Sequence, residues 1–196
     1  FDAPNGVWIN SLREDVVAKL AEAGMVACNL AIEHGNDYIR NKVIGKNLDR
    51  DRIFEAASYM KKNKILTGGF FIMGFPEDTN ETLQDTYDMM EEIQLDKMQV
   101  GTLVPFPETQ LFKQVIKENL FINKWNIDEL WKTPISYQQG EFVIKPYRMS
   151  LEDLAHWRKK FDDLKFKYWT TNPKETAFKK FNKQNYLKLL PSPSAS

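Results

Sequence analysis

The chain has 196 residues, 42% of them hydrophobic, with a formal net charge of zero. That composition supports a real core in one domain, or one domain plus an appendage, and excludes a disordered chain. No apolar run approaches the roughly 20 residues that a bilayer span needs, nothing in the opening residues reads as a secretory leader, and a single cysteine, Cys28, rules out an intramolecular disulfide. The expected setting is reducing and cytoplasmic, with no membrane partner. Charge is unevenly placed: residues 151–196 hold ten Lys or Arg against five Asp or Glu. A surplus of that size does not by itself imply nucleic acid.

In chain order, Asp2–Gly6 reads as a loop. Ser11-Leu12-Arg13-Glu14 has the form of a capping box. Leu12, Val16 and Leu20 then mark one helical face, and Gly24 suits the position just past the helix end. Met25–Ile32 is the first strong strand, followed by a helical turn over Asp37–Val43. Asp49 is placed to cap a helix whose buried face is Ile53, Ala56, Ala57 and Met60. Ile65–Met73 is the second strand, broken by Gly74-Phe75-Pro76. Asp78 or Thr79 caps the next helix, with Leu83, Thr86, Tyr87, Met90 and Ile93 inward. Met98–Val104 is the third strand, and Leu111–Glu118 is helical.

The result is β-α-β-α-β with crossovers long enough for parallel strands. The predicted class is therefore α/β, and ligands in such sheets bind at the carboxyl ends of the strands. Three parallel strands leave both edges unpaired, which predicts self-association or further strands upstream. After residue 120 the pattern turns irregular, with Trp125, Trp131, Tyr137 and Phe142, and Glu141–Lys145 as a short strand. Ser150 and Asp153 then open an amphipathic helix with Leu151, Leu154, Trp157, Phe161, Leu164 and Tyr168 on one face. From Asn172 the sequence is polar and lysine-rich and ends in a frayed Pro191–Ser196.

Several residues carry chemistry, and each has a plain alternative. Glu33, at a strand end, suits a sugar diol or a cation, or simply caps a turn. His34 suits acid–base or ligand chemistry, or only bonds a loop; His156 lies on a remote helix, and no second His stands at metal-binding spacing. Cys28 sits among apolar neighbours, as an inert thiol does. Gly68-Gly69 inside a strand suggests close approach of a backbone or ligand, or a bulge. Gly74 and Pro76 let a ligand approach the backbone, or only make a turn. The lysine-rich aromatic tail suits RNA less well than it suits a wet helix face, so nucleic acid is not the expected partner.

Taken together, four stretches resemble the C-terminal half of a radical S-adenosylmethionine (SAM) domain, of the subgroup that often carries a cobalamin-binding domain. Pro4-Asn5-Gly6 with a helix ending in Ala23-Gly24 resembles that family's third strand exit and helix. Ile32-Glu33-His34-Gly35-Asn36 with Ile44-Gly45-Lys46 is similar to its IESGS…GK element. Phe70 to Thr79, FFIMGFPEDT, is similar to its FIIGFPGET element. Pro105-Phe106-Pro107-Glu108-Thr109 with Leu111-Phe112 resembles its PFPGTPLY element.

The resemblance implies half of a partial (β/α)6 TIM-like barrel over residues 1–120, with a variable helical extension over 121–196. It implies SAM as cofactor, a [4Fe-4S] cluster whose ligands are not in this chain, and cobalamin as a further candidate. Glu33, with His34 and Gly35 beside it, would stand at the ribose. Ile72 and Gly74 would line the adenine, and the backbone of Leu103, Val104 and Pro105 would hydrogen-bond it. The chain departs from the family in lacking the CxxxCxxC loop, in having Glu77 and Glu108 where Gly follows Pro, and in having His34 for Ser. These departures imply a fragment whose partner is the missing N-terminal half of the barrel. It would act on a small molecule of unidentified structure, and the fragment would be inactive alone. The alternative is a non-catalytic half-barrel serving as an interaction scaffold.

Overall fold

In the computed structural model, residues 1–122 and 142–171 are described. Strands β1 (Asp2–Val7), β2 (Ala27–Glu33), β3 (Leu66–Met73) and β4 (Lys97–Thr102) alternate with helices α1 (Glu14–Glu22), α2 (Arg50–Lys62) and α3 (Asn80–Ile93). The four strands form one all-parallel sheet in the order β1-β2-β3-β4. Helix α4 (Gln110–Lys117) follows β4, and α5 (Leu151–Thr171) lies across α3 and β4.

The class predicted from sequence holds, with one strand more than the apolar runs revealed. Asp2–Gly6 is strand β1, not a loop. It escapes pattern recognition because Pro4 and Gly6 interrupt it. An edge strand tolerates Pro, since its outward N–H has no ladder partner to lose. A register shift between Ala3 and Val7 marks the irregularity. Two other local expectations change. The Ser11–Glu14 capping box does not form: Ser11 Oγ instead donates to Trp8 O at 2.7 Å, closing a 3-10 turn over Ile9–Ser11. Asp49 makes no side-chain cap either. Thr79 does cap α3, in a reciprocal box with Thr82, and Ser150 and Asp153 form the expected box at α5.

Strand alternation divides the sheet into two faces. Cys28, Leu30 and Ile32 of β2, Phe71 and Met73 of β3, and Met98 and Val100 of β4 are buried toward the helices. There they join Val17, Ile53, Met60, Leu83 and Met90 in one core. Leu154, Trp157, Phe161 and Leu164 of α5 belong to the same core, so this helix completes the layer. Leu151 stays 44% exposed, outside the expected face. Gly69 faces the core because a Cβ there would stand 2.7 Å from Leu95 Cδ1. On the opposite face, a Cβ on Gly68 would stand 1.9 Å from Asn29 Oδ1. The space at this glycine pair is therefore taken by the Asn29 and Leu95 side chains, not by the backbone or ligand expected, and the register through Gly68 and Gly69 runs without the alternative bulge. Asn29 Nδ2 donates onward to Pro4 O at 2.7 Å, tying β1 to the sheet centre.

Helix α5 also closes one edge. Leu103 N donates to Met73 O at 2.8 Å, so by alternation the backbone groups of Val100 and Thr102 point outward from β4. Arg158 of α5 donates to Val100 O at 2.7 Å and to Thr102 Oγ1 at 2.6 Å. A charged fork on an edge carbonyl is a recognised way to blunt strand pairing. Past β4, a single antiparallel bridge joins Phe121 and Ile144, where a short strand was expected. Val104, Val115, Val143 and Ile144 form a small second core there. The expectations for residues 123–141 and 172–196, including Trp125, Trp131, Tyr137 and the lysine-rich tail, lie outside the described residues. Among the described residues no helix is long and apolar enough to cross a membrane.

Candidate functional site

Parallel pairing places the carboxyl ends of the strands on one side, and the loops after β2, β3 and β4 meet there. Glu33 ends β2 with φ +69°, a left-handed conformation uncommon outside glycine. That conformation shifts the register against β3 between Ala31 and Glu33 and carries the carboxylate to the strand tip. Its Oε1 accepts from Lys46 Nζ at 2.8 Å, and the two side chains are 17% and 27% exposed.

A buried arginine holds this loop. Arg40 stands in a turn of π-helix over Ile39–Val43 and is 0% exposed. Its Nε donates to Leu48 O at 2.7 Å, and its Nη1 to His34 O and Gly35 O at 2.9 and 3.0 Å. Nη2 pairs with Asp37. A planar fork of five donors suits such convergent carbonyls.

His34 is fully buried and braces β2 against β3. Its Nδ1 accepts the Asn36 N–H at 3.1 Å, so the ring proton sits on Nε2 and is donated to Asp78 Oδ1 at 3.1 Å. The other oxygen, Asp78 Oδ2, accepts from Gly74 N at 2.7 Å and Phe75 N at 3.0 Å. Asp78 is therefore not the helix cap; it orders the Gly74-Phe75-Pro76 turn. The Phe75 ring lies edge-on to the imidazole at 6.0 Å.

Gly35 packs against α3, where its N–H donates to Thr86 Oγ1 at 3.0 Å. A Cβ at this position would stand 2.3 Å from Thr86 Cα and 2.5 Å from Asp85 O. Both are backbone atoms that cannot swing aside. Gly35→Ala should lower unfolding stability by about 1–3 kcal/mol, measured by urea titration. An unchanged midpoint would show that α3 shifts freely.

The other residues named from the sequence lie near this frame. Ile72 is half-buried on the sheet face opposite the helices. Gly74 follows β3 with φ +96°, and a Cβ there would have no neighbour nearer than 3.9 Å, so the turn is open at this point. Leu103, Val104 and Pro105 follow β4, with the Val104 side chain buried in the second core. Because β2, β3 and β4 are neighbours, Glu33, Gly74 and Leu103–Pro105 come side by side. His34 and Gly35 are brought to the same place, but as supports beneath it. Sequence reasoning missed Arg40, Lys46 and Asp78 as contributors. The Glu33–Lys46 and His34–Asp78 pairs are separated by 13 and 44 positions, and no local period links them.

A cavity of about 200 Å³ opens beside Lys46, between the tips of β1 and β2. Another, of about 260 Å³, lies at the opposite strand ends, bordered by Ala27, Cys28, Gly68 and Lys97. It is remote from every group just described.

The donor chemistry suits a nucleoside: a carboxylate for a diol, a side-chain-free turn, and backbone for a purine edge. It does not suit an iron–sulfur cluster. Such clusters take several thiolates. The one thiol, Cys28, is buried near the start of β2, where burial pushes its pKa up to about 11. Among the described residues no group of three or more His, Cys, Asp or Glu is arranged to hold a metal. Because the folded pKa lies above the ordinary 9.0, Cys28 favours the fold fully below pH 9. That contribution is lost as pH rises toward 11. Cys28→Ala should flatten the stability profile between those values in denaturant titrations; an identical profile would contradict it.

Comparison with known proteins supplies independent findings. Residues 3–90 match the model of the radical SAM superfamily. The chain is 32% identical over 150 residues to bacteriochlorophyllide d C-12(1)-methyltransferase of Chlorobaculum tepidum, covering 76% of this chain and 30% of that protein. It is 26% identical over 140 residues to the anaerobic magnesium-protoporphyrin IX monomethyl ester cyclase of Rubrivivax gelatinosus, covering 69% of this chain and 25% of that one. The fold is similar to that of TsrM, a radical SAM methyltransferase of Kitasatospora setae solved with cobalamin and a [4Fe-4S] cluster bound. The TM-score is 0.51 at 18% identity, over 78% of this chain and 29% of TsrM. The chain thus spans between a quarter and a third of the length of these proteins.

Proposed function

From the premise that this chain belongs to the radical SAM superfamily, we propose that it forms the distal wall of a SAM-binding barrel whose cluster-bearing side is another segment. The single observation carrying this reading is the adjacency of three strand tips. Parallel order puts the Glu33 carboxylate, the Gly74 turn and the Leu103–Pro105 backbone on one side of the sheet.

Glu33 holds the ribose diol through the oxygen that Lys46 does not take. Ile72 and the Gly74 turn lie along the adenine, and the backbone of Leu103 to Pro105 meets its polar edge. His34 and Asp78 fix the turn, and Arg40 fixes the loop that carries Glu33. When bound, SAM supplies a methyl group or one-electron chemistry to a small-molecule substrate, with cobalamin as a second candidate cofactor. The similarity to a curated methyltransferase supports methyl transfer as the reaction class. Cys28 plays no part in holding a cluster, so the thiolates come from the N-terminal half of the barrel.

Iron–sulfur reconstitution followed by assay for 5′-deoxyadenosine and methylated product tests this. The chain alone is expected to give neither; joined to a cluster-bearing N-terminal half it should give at least one. Product from the isolated chain would overturn the assignment.

One observation favours a second reading, a scaffold freed from catalysis. Glu108 occupies a left-handed conformation, φ +67°, that glycine adopts without strain. Glu77 also keeps an oxygen buried with no hydrogen-bond partner among the described residues. If the joined barrel binds no SAM, the scaffold reading replaces the first.

A further inference from the structure

The cavity between the tips of β1 and β2 has a lining that specifies a ligand. Among the described residues that border it, Lys46 is the one charged group and Asn5 the one polar side chain, while Trp8, Ile9, Ala31 and Leu48 supply the wall. Trp8 borders the cavity and is 68% exposed. Ile9 and Leu48 are almost wholly buried, at 1% and 3%, and so form a fixed floor. Lys46 is held in place by Glu33 at 2.8 Å and remains 27% exposed. An ammonium has three donors, and one carboxylate oxygen takes one of them.

We propose that this cavity binds a carboxylate-bearing arm of the substrate, with the carboxylate on Lys46 and an apolar or aromatic body against Trp8. The inference rests on the proposed function, since it assigns a substrate to the space beside the ribose position. Lys46 keeps two donors beyond the one it gives Glu33, and the low polarity of the recess strengthens their hydrogen bonds to an incoming carboxylate. The Trp8 indole adds a flat apolar contact of the kind that anchors ring systems. At about 200 Å³ the recess is smaller than an ordinary whole-ligand pocket. It therefore takes one arm, and the rest of the molecule extends over the strand tips.

The same carboxylate chemistry occurs at the amino-acid end of SAM. That source also carries an ammonium, which needs an acceptor of its own. Among the described residues that border the cavity none is a carboxylate, and the neighbouring Glu33, paired with Lys46 through one oxygen, gives its other oxygen to the ribose diol in the proposed function. The lining thus matches an acid without an amine.

The test uses the 196-residue chain with 3-phenylpropionate and its methyl ester as probes, read by the Trp8 indole N–H resonance and by calorimetry. The acid should bind and the ester should not. Lys46→Met and Trp8→Ala should each weaken the acid by about tenfold or more, while Lys46→Arg should retain it. Equal binding of acid and ester, or no effect of Lys46→Met, would overturn the proposal. Competition by S-adenosylhomocysteine would assign the recess to the cofactor's own carboxylate and overturn it too. Failure of SAM binding by the joined barrel is a separate outcome: it removes the proposed function while the acid-versus-ester result still decides this site.

Discussion

Asp78→Asn should destabilise the fold by about 3–5 kcal/mol, since it leaves two buried donors facing each other and each unsatisfied group costs about 1–3 kcal/mol. The argument is one of donor counting. Asp78 receives three N–H groups: from His34 Nε2 on one oxygen, and from Gly74 and Phe75 on the other. An amide offers one oxygen and one NH₂. If the oxygen serves the turn, the NH₂ faces the imidazole N–H. If it flips, the NH₂ faces two backbone N–H groups. The ring cannot move its proton to Nδ1, because the Asn36 N–H already points there at 3.1 Å. Every arrangement sets a donor against a donor in a site with no solvent access, where unpaired polar groups are expensive. Urea unfolding measures the loss. The Gly74 and Phe75 amide resonances should shift and exchange faster in the variant. A change below about 1 kcal/mol with unmoved amides would show that the turn is held by other contacts.

Arg40→Met should be comparably severe, at about 3–5 kcal/mol. Methionine approximates the length of the side chain and keeps its apolar stem packed, so the loss reports the polar head. Three carbonyls, those of His34, Gly35 and Leu48, would lose their donor in a buried setting. Arg40→Lys keeps the charge but not the fork. A point ammonium cannot reach carbonyls on both sides of the loop, so rescue should be partial. Full rescue by Lys would mean that charge alone is sufficient. The loop carrying Glu33 depends on this clamp, so Arg40→Met should also weaken nucleoside binding in whatever population remains folded.

These two residues mark the limit of what the sequence could reveal. The strands β2, β3 and β4 were legible because buried parallel strands are continuous apolar runs. The α3 cap was legible because Thr79 precedes a periodic segment, and the end of α1 followed from Gly24. Strand β1 was illegible because its short segment, DAPNGV, has neither an apolar run nor alternation. Glu33, Gly74 and the Pro105 turn could be named from their place at strand ends. How they are held could not. Arg40 reads as one more surface arginine in a polar stretch, and its burial follows from carbonyls that converge only when β2 and the π-turn are folded. Asp78 reads as a helix cap. Its service to Gly74 and His34 arises because Thr79 takes the cap, leaving Asp78 directed inward at the turn. His34 reads either as acid–base chemistry or as a residue that only bonds a loop, and it is buried, accepting the Asn36 N–H, with the Phe75 ring edge-on to it. Such long-range pairings carry no local periodicity and become visible only with the sheet order.

The central claim is that the tips of β2, β3 and β4 are one wall of a nucleoside cavity. Its most direct test is titration of S-adenosylhomocysteine into this chain joined to a cluster-bearing N-terminal half-barrel, with the chain isotopically labelled and its amide resonances followed. The account predicts shifts at Glu33, Gly74, Leu103 and Val104, with little change at Ala27, Leu66 and Lys97 at the far strand ends. Shifts confined to the far ends, or saturating ligand with no change at those tips, would contradict it.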